Sequence, residues 1–546
     1  MTLLTKTDFI LYRECPNDVW VKKHKPEVYE KFEVSEFEQS LAEMGNEVEE
    51  LARGMFPNGY LVERRSEGAQ ELTKKLISEQ KPVIFQGVFT TDKFLAATDV
   101  LKWNEDAKKY DIYEIKMSST EQAEAEDDEE GKPKRVNRKV ETQYEYDLAF
   151  QTNVAETCGV PLNKKYLVRL NKAYIKNGDL DFAPNKLFVI EDKTQAVDCL
   201  KEIALGEMNR AHDFVSAKDE PSGPCPCFYK GRSAHCTAFS CINPQVPLYS
   251  VHDLNRIGSS KKYLMELLDA GIMEIGDVPE DERLFPKEPD KNGKVSKPKK
   301  LNQVRVHKSQ EPLIDIDAIK NELGSLVFPL YFLDYETYTT AIPIYDGYHP
   351  YQHIVFQYSL HVLKDKNSEP IHLECLVLGK DPARDIVESL RENIGDTGTV
   401  ISWYKNFENS RNRDLAKMLP EYKDFLMDLV SRTYDLMDMV ENQHYVHPGF
   451  HGKASIKKVL PVIAKLTNRE DELSYKKLGV QNGTGAIEAY RQLSVGELTG
   501  DAANEKKREM LEYCKLDTYA MYIIWRYLAG LVDSAAVTTQ IPSFKL

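Results

Sequence analysis

Hydrophobic and polar positions follow helical and strand periodicities in different parts of the chain. Apolar residues at helical spacing predict a helix within FEQSLAEMGNEVEELARGMF, residues 37–56. Two segments rich in β-branched and aromatic residues predict strands: KPVIFQGVFTTDKFLAATDVLKW and KYDIYEIKMSS. After residue 325, strands alternate with helices, and the predicted strands are LVFPLYFLDYE, HIVFQYSLHVL, IHLECLVLG and TVISWY. This alternation is typical of the α/β class.

Two segments lack the apolar residues that a packed element needs. Residues 120–141 are an acidic block followed by a basic block, which predicts a mobile inserted loop. Residues 285–310 are rich in lysine and proline and predict a linker, for which solvation is favoured over contact with nucleic-acid phosphates. A chain of 546 residues exceeds a single hydrophobic core. We therefore predict an N-terminal domain (1–245), a helical connector with the basic linker (246–324) and a C-terminal domain (325–546).

The overall composition narrows the class of protein. Hydrophobic residues make up 42% and charged residues 29%, which is ordinary for a soluble globular chain. No apolar run is long enough to span a bilayer and the N-terminus lacks a signal-peptide pattern, so we expect a cytoplasmic protein. The net charge of −15 argues against a protein that coats nucleic acid with its whole surface, although it leaves a local basic channel open.

The predicted strand LVFPLYFLDYE ends in two carboxylates, Asp334 and Glu336. Residues i and i+2 of a strand share a face, so the two carboxylates point the same way and repel each other unless cations bind between them. Glu408 lies at a predicted strand-to-helix junction, and Tyr513 and Asp517, four residues apart, share one face of a C-terminal helix. Together these residues predict a site in which divalent metal ions act on a phosphodiester.

The order of these motifs resembles that of the DnaQ-like 3′–5′ exonucleases with a tyrosine in the third motif. The resemblance implies an RNase H-like mixed sheet, Mg²⁺ or Mn²⁺ ions held by the four acids, and a water positioned by Tyr513. Two positions depart from the family pattern: Glu408 stands where aspartate is usual, and Tyr404 stands where the preceding turn carries asparagine. Asp435 is an alternative metal-site residue. AIPIYDGYHPYQHIVFQYSLHVL and HGKASIKKVLPVI are similar to segments of a bacterial family that carries this domain at its C-terminus.

A second cluster of charged residues is predicted in the N-terminal domain. Asp99 lies near the end of one predicted strand, and Glu114 and Lys116 share one face of the next strand. Two carboxylates can bind Mg²⁺ through oxygen, and a neighbouring lysine can stabilise charge that develops on a phosphate. The alternative is an exposed strand of alternating charge, which is common in proteins.

This pattern resembles the PD-(D/E)xK nucleases of the RecB family, including the CRISPR-associated RecB-like exonucleases. The resemblance implies a restriction-endonuclease-like core in which Asp99 and Glu114 bind the metal. Family members also carry an acidic or histidine residue on an earlier helix and a glutamine on a later one. Glu49 matches the first of these positions, with Glu47 as its alternative, and Gln151 matches the second.

The nine cysteines are not expected to form a disulfide framework in a cytosolic protein. Four of them cluster within PCPCFYKGRSAHCTAFSC, which predicts a bound metal or an iron–sulfur cluster: Cys225, Cys227, Cys236 and Cys241. In several RecB-family nucleases, one cysteine before the nuclease core and three after it bind a [4Fe–4S] cluster. That resemblance adds Cys15, so five candidates compete for four positions, and a zinc site is the alternative. The remaining cysteines are predicted to be ordinary packed residues: Cys158, Cys199, Cys375 and Cys514.

Together the two resemblances imply a fusion of two metal-dependent nucleases. The expected substrate is DNA, as single strands or ends, and the expected setting is repair, recombination or defence against foreign DNA. Two alternatives stay open at this level. One is an RNA exonuclease, because DnaQ-like domains process both polymers, and the other is a nucleic-acid-binding scaffold in which one or both sites are degenerate.

Overall fold

Two units, each built around its own sheet, make up the chain. The computed structural model describes residues 3–30, 36–120, 138–285 and 297–539. Unit 1 comprises Met1–Phe228, His235–Gln245 and Thr340–Gln352, and unit 2 comprises Tyr229–Ala234, Val246–Thr339 and His353–Leu546. The predicted connector 246–324 therefore belongs to unit 2, and no sequence pattern predicted that residues 340–352 belong to unit 1. The functions assigned to the predicted domains stay predictions.

Seven strands in the described part of unit 1 form one mixed sheet. Their bounds are β1 Leu4–Thr5, β2 Tyr60–Leu61, β3 Val83–Thr90, β4 Phe94–Asn104, β5 Lys109–Ser119, β6 Leu162–Leu170 and β7 Phe188–Asp192. The spatial order is β2-β3-β4-β5-β6-β7, and β1 pairs with β4. β3, β4 and β5 are antiparallel neighbours, whereas β6 runs parallel to β5.

Helices cover both faces of the unit 1 sheet. Their bounds are α1 Lys6–Glu14, α2 Pro16–His24, α3 Pro26–Glu30, α4 Glu36–Ala52, α5 Ala69–Ser78, α6 Arg138–Thr157, α7 Thr194–Ser216 and α8 Phe239–Ile242. One face packs against α1, α5, α6 and α7 around Phe9 and Phe150. The other face packs against α4, through Val48 and Ala52. Both faces of the sheet are therefore buried, which explains why its strands carry apolar side chains on both faces.

Five strands form the main sheet of unit 2, and two short strands form a separate ladder. Their bounds are β8 Leu313–Ile314, β9 Leu330–Thr339, β10 His353–Leu363, β11 Ile371–Leu376, β12 Thr399–Ser402, β13 Thr433–Asp435 and β14 Tyr445–Val446. The main sheet has the order β11-β10-β9-β12-β13, and β8 pairs with β14. β10 is antiparallel to both of its neighbours, whereas β9, β12 and β13 are parallel.

Helices also cover both faces of the main sheet of unit 2. Their bounds are α9 Lys261–Asp269, α10 Lys299–Ser309, α11 Ile316–Gly324, α12 Ala383–Asn393, α13 Asn406–Met418, α14 Lys423–Ser431, α15 Asp438–Glu441, α16 Ile456–Leu466, α17 Gly483–Ser494 and α18 Gly500–Thr539. α11, α16 and α18 pack on the face that carries Phe332. α12, α13 and α14 pack on the opposite face, which carries Tyr331 and Leu333.

Most of the predicted elements are confirmed, and so is the mixed α/β class. The predicted helix at 37–56 is α4, and the predicted strands correspond to β3, β4, β5, β9, β10, β11 and β12. The linker prediction was wrong for residues 299–309, which form α10, because Leu301 and Val304 are buried among the lysines. Residues 121–137 of the predicted loop and 286–296 of the predicted linker lie outside the described residues. None of the described helices has the length and apolar character required to cross a membrane.

Candidate metal centres

The central strand of unit 2 carries two carboxylates on one face. On β10, Ser359 lies opposite Asp334 and Gln357 lies opposite Glu336. β12 pairs with β9 only as far as Phe332 and with β13 as far as Asp435, after which the chain continues to α13. The two acids of β9 therefore lie beyond the end of their parallel neighbour, where side chains from other elements can approach them.

The turn between β12 and α13 brings a third acid to this site. Glu408 lies in the first turn of α13 and is only 3% exposed. The carboxylate of Asp435 accepts hydrogen bonds from the backbone N–H groups of Tyr404 at 2.9 Å and Lys405 at 3.0 Å, which holds the turn. Tyr404 has a φ of 71°, a left-handed conformation that asparagine adopts more readily than tyrosine. Both carboxylate oxygens of Asp435, the alternative metal-site residue, therefore accept hydrogen bonds from the backbone.

α18 lies across the face of the sheet that carries the β9 acids. The side-chain amide of Gln357 donates to a backbone carbonyl of α18 at 3.1 Å. The hydroxyl of Thr518 bonds Ser359 Oγ at 2.7 Å and His361 Nδ1 at 2.8 Å. These buried hydrogen bonds set the rotation of α18 about its axis, so that its predicted motif residues face the acids of β9.

A cysteine of α18 lies among these acids. Ligand atoms of Asp334, Glu336 and Cys514 all lie within 4.8 Å of one another. The Sγ atom of Cys514 is 3.9 Å from Oδ2 of Asp334, and the side chain is fully buried. The prediction of an ordinary packed cysteine was therefore incomplete, because a single sequence does not reveal which polar groups a buried thiol faces.

Two tyrosines hold the aspartate of α18. Asp517 accepts hydrogen bonds from the hydroxyl groups of Tyr513 and Tyr475. Tyr513 was predicted from its spacing to Asp517, and it is 5% exposed. Sequence reasoning missed Tyr475, because it lies in a short turn 42 residues before Asp517 and no helical or strand period connects the two.

Positive charge near the four acids of this site comes from Lys457 and Arg411, neither of which forms an ion pair with them. None of the four acids forms an ion pair within the described part of the chain, and the nearby Arg411 is paired with a different carboxylate. Burial, followed by repulsion from the neighbouring acids, raises the pKa of Asp334 and of Glu336 well above the usual range. Burial also raises the pKa of Glu408 to about 8 and that of Asp517 to about 6. The cluster therefore attracts cations strongly.

The donor set fits a hard divalent cation. Oε2 of Glu408 is buried and has no hydrogen-bond partner, which is costly for a carboxylate unless a cation approaches it. Carboxylate oxygens are the protein ligands that Mg²⁺ and Mn²⁺ prefer. A cation at Asp334 and Glu336 would remove the repulsion that raises their pKa values.

Neighbouring strands of unit 1 bring together the second predicted cluster. The carboxylate of Asp99 on β4 accepts the backbone N–H of Ile115 on β5 at 2.7 Å. Glu114 Oε1 is 2.8 Å from the ammonium of Lys116, and its Oε2 accepts a hydrogen bond from the amide of Gln151 on α6. Glu114 is 1% exposed, so the alternative of an exposed strand is wrong for this segment.

Two charged residues that the sequence analysis missed complete this cluster. Lys6 is the first residue of α1, which begins with a capping box, and its ammonium pairs with Glu114. Asp147 on α6 pairs with Lys116. Lys6 and Glu114 are 108 positions apart, so only the folded chain reveals their contact.

The lysines decide the charge state of the unit 1 cluster. Burial by itself raises the pKa of Glu114, but the ammonium groups of Lys116 and Lys6 outweigh it and hold this pKa below the usual range. Burial, followed by the charge of Glu114, raises the pKa of Asp99 to about 8. The buried carboxylate of Glu114 is therefore already compensated by the protein's own cations.

Glu49 approaches this cluster more closely than its alternative. Its charge contributes to the raised pKa of Asp99, and its carboxylate accepts hydrogen bonds from Arg53 at 3.0 Å and Gln86 at 2.6 Å. Glu47, by contrast, has a pKa raised by burial alone. The geometry thus favours Glu49 for the helical position of the motif.

Four of the five candidate cysteines form a compact group in unit 1. Their sulfur atoms all lie within 4.8 Å of one another: Cys15, Cys225, Cys227 and Cys236. Cys15 lies at the junction of α1 and α2, and Cys236 lies just before α8. A hydrogen bond from the thiol of Cys15 is the largest influence that lowers the pKa of Cys227, to about 7. Cys241, the fifth candidate, lies on α8 outside this group, so the geometry favours the other four.

Comparisons with known proteins match parts of the chain. A family described as a domain of unknown function, DUF2779, matches residues 331–455. This segment contains Asp334, Glu336 and Glu408 and ends before α18 begins.

Two curated mycoplasma proteins are also similar to the chain. One is the uncharacterized protein MG366 of Mycoplasma genitalium, which is 28% identical over 40% of this chain and 34% of its own length. The other is the uncharacterized MG366 homolog of Mycoplasma pneumoniae, which is 27% identical over 37% of this chain and 32% of its own length. The chain thus spans about a third of the length of these relatives.

Proposed function

We propose that unit 2 is a metal-dependent 3′–5′ exonuclease of the DnaQ-like type. The observation that carries this proposal is the convergence of acids from β9, α13 and α18 that form no ion pair among the described residues: Asp334, Glu336, Glu408 and Asp517. The mixed five-stranded sheet supports an RNase H-like assignment, because its one antiparallel strand lies beside the strand that carries the first motif.

In this mechanism, the acids hold the cation and the tyrosines orient the reacting groups. A bound Mg²⁺ or Mn²⁺ would supply positive charge beside the phosphate oxygens and increase the acidity of water. Asp334 and Glu336 would be among its ligands. The hydroxyl oxygen of Tyr513 orients the water that attacks phosphorus, while its proton bonds Asp517. Tyr475 fixes the other side of the Asp517 carboxylate, and the bond from phosphorus to the 3′ oxygen breaks.

Unit 1 is proposed to be a second nuclease, of the PD-(D/E)xK type. Asp99 and Glu114 would bind the cation, Lys116 would stabilise negative charge on the phosphate, and Gln151 and Glu49 would complete the site. The contacts of Glu114 support the grouping of these residues. Its oxygens are shared with ammonium groups, however, so a cation must compete with them, and we expect this site to bind Mg²⁺ more weakly than unit 2.

The proposed substrate is DNA, as single strands or ends, and the proposed setting is repair, recombination or defence. RNA is the second candidate substrate, because the arrangement of acids that cleaves a phosphodiester does not by itself sense the 2′-hydroxyl group. A binding scaffold without activity is the non-enzymatic alternative. The charge repulsion at Asp334 and Glu336 favours metal-dependent chemistry over that scaffold.

The four-cysteine group is proposed to be a structural metal site that connects α1 and α2 with the segment before α8. The resemblance implies a [4Fe–4S] cluster, and zinc is the alternative, which the close spacing of the sulfur atoms supports. A zinc–sulfur bond of about 2.3 Å in a tetrahedral site puts the sulfurs about 3.8 Å apart. The observed separations within 4.8 Å are compatible with one ion, whereas a cluster with four irons needs more widely spaced sulfurs.

A degradation assay tests the nuclease proposal. Single-stranded DNA and RNA of the same sequence, labelled at the 5′ end, are incubated with the protein and Mg²⁺ or Mn²⁺. We expect shortening of DNA from its 3′ end and loss of this activity, by more than about 100-fold, in Asp334→Asn. Asp396→Asn, which changes an exposed acid of unit 2, is the matched control.

The same assay separates the alternatives. Preferential shortening of the RNA would replace the DNA proposal with the RNA alternative. No cleavage by the wild-type protein with either ion would support the scaffold. Glu114→Gln, with Asp106→Asn as its exposed control, tests whether unit 1 contributes separately. Metal analysis of the purified protein, with a visible absorption spectrum, distinguishes zinc from an iron–sulfur cluster.

A further inference from the structure

Cys514 gives the acid cluster of unit 2 a ligand that Mg²⁺ does not use. Its sulfur lies 3.9 Å from Oδ2 of Asp334 and within 4.8 Å of a ligand atom of Glu336. Mg²⁺ binds oxygen, whereas thiolate ligands select softer ions such as Zn²⁺. A set of two carboxylates and one thiol is therefore better matched to a thiophilic cation than to magnesium alone.

The surroundings of this set also point to a bound cation. Oε2 of Glu408 is buried without a hydrogen-bond partner, and its charge acts on both Asp334 and Glu336. The charge of Lys457 acts on Glu336, but Lys457 does not form an ion pair with it. An unpaired buried carboxylate oxygen beside three potential ligands is the environment in which a divalent ion lowers the free energy most.

We propose that Asp334, Glu336 and Cys514 form a binding site for a thiophilic divalent cation, Zn²⁺ or Cd²⁺, that competes with Mg²⁺ for the same acids. A metal–sulfur bond forms as the S–H proton leaves to solvent, and no electron is transferred. Metal–ligand distances of about 2.3 Å for sulfur and about 2.0 Å for oxygen give a tetrahedral sulfur–oxygen separation of about 3.5 Å. The observed 3.9 Å requires only a small inward movement of the two side chains.

The binding of the ion is independent of nuclease chemistry, whereas its regulatory consequence rests on the proposed function. An ion held by sulfur as well as oxygen exchanges less readily than Mg²⁺ and fixes the two β9 acids in one arrangement. In the proposed exonuclease, Zn²⁺ would therefore act as an inhibitor at Mg²⁺ concentrations that otherwise support cleavage.

A cadmium titration tests the site directly. Cd²⁺ is added to the full chain in the presence of Mg²⁺, and the ultraviolet charge-transfer absorption of the cadmium–thiolate bond is recorded. The comparison is between the wild-type protein, Cys514→Ser and Cys375→Ser. Cys375 is a half-buried cysteine of unit 2 that packs on the opposite face of the sheet. All three proteins keep the four-cysteine group of unit 1, so its contribution is common to them.

We expect Cys514→Ser to lose one cadmium-binding event, with affinity at least about tenfold weaker, while Cys375→Ser titrates like the wild type. Identical titrations of the wild type and Cys514→Ser would overturn the proposal. Asp334→Asn is a second variant that keeps every cysteine and must weaken the same event. If Cys514→Ser does not fold, as judged by circular dichroism, an unchanged titration of Asp334→Asn overturns the proposal alone.

The outcome is separable from that of the nuclease assay. A wild-type protein that binds Cd²⁺ through Cys514 but cleaves no nucleic acid contradicts only the proposed function. A protein that cleaves DNA with Mg²⁺ but shows no binding event dependent on Cys514 contradicts only the thiophilic site.

Discussion

In unit 1, the buried carboxylate of Glu114 is paired with the ammonium groups of Lys6 and Lys116, whereas in unit 2 the acids around Asp334 have no such partner among the described residues. Both clusters begin with two carboxylates on central strands, and in each cluster one of the two, Glu114 or Glu336, is buried. The lysines outweigh burial and lower the pKa of Glu114, while burial, followed by repulsion from the other acids, raises the pKa of Asp334. The charge of a buried acid is thus neutralised either by ammonium groups of the protein or by a bound metal ion. Only in the second case does the free energy of unfolding depend on the metal concentration.

The largest expected effect is the loss of an internal cation from unit 1. Lys6→Met leaves Glu114 with Lys116 as its remaining ammonium partner. We expect this to cost about 3 kcal/mol of unfolding free energy, the low end of the range for breaking a buried pair. Hydrogen exchange in β5 and α6, read by mass spectrometry, measures it.

Lys108→Met is the control for that change. Lys108 pairs with Glu105 at 2.7 Å, but both side chains are exposed, so the free energy of unfolding is expected to change little. Equal losses in the two variants would mean that the unit 1 lysines do not balance a buried charge.

The next effect is stabilisation of unit 2 by added metal. At a Mg²⁺ concentration 100 times the dissociation constant, binding contributes about 2.7 kcal/mol. We expect slower hydrogen exchange in β9 and α18, and a smaller change in unit 1. Asp334→Asn removes the response, whereas the exposed control Asp396→Asn keeps it. If Mg²⁺ slowed hydrogen exchange equally in both units, the proposed difference in charge compensation between the two clusters would be wrong.

A smaller effect is expected from the neutral donors of unit 2. Tyr475→Phe removes one of the two hydroxyl groups that donate hydrogen bonds to Asp517. These hydroxyl groups position an acid in unit 2, as ammonium groups do in unit 1. Loss of such an outer partner lowers metal affinity by about tenfold. Calorimetric titration with Mn²⁺ measures it. Tyr519→Phe, whose hydroxyl bonds Arg469 instead, is the control and is expected to bind Mn²⁺ as the wild type does.

The smallest expected effect is the change in unfolding free energy when one acid of each cluster is replaced by its amide. This change has opposite signs in the two units, and it is measured in the presence of a chelator, without metal. The raised pKa of Asp334 means that the folded state binds its proton more tightly, so stability falls as pH rises above the unfolded value of 3.8. Asp334→Asn removes that loss and is expected to stabilise unit 2 at pH 8.

Glu114→Gln is expected to do the reverse. Its lowered pKa contributes stability that is present above the unfolded value of 4.5 and is lost as pH falls through the folded pKa. The variant therefore destabilises unit 1 at pH 8. The same sign for both substitutions in denaturant unfolding followed by hydrogen exchange would contradict the electrostatic account.

Local patterns determined much of this protein. Strand and helix periodicities identified β4, β5, β9 and α4, and the spacing within single elements identified the Asp334–Glu336 and Tyr513–Asp517 pairs. These predictions succeed because the period of a helix or strand specifies which neighbouring side chains share a face. The helix at 299–309 was missed, because lysines surround its few buried apolar residues.

Only the tertiary structure decided which distant residues meet. Lys6 reaches Glu114, Tyr475 reaches Asp517, and Cys514 lies against Asp334 because packing sets the rotation and position of whole elements. The same packing grouped four cysteines and left the fifth outside. The charge balance of each site is a sum over such contacts, so sequence determined which acids were available and the fold determined whether each was paired with a lysine or left for a metal ion.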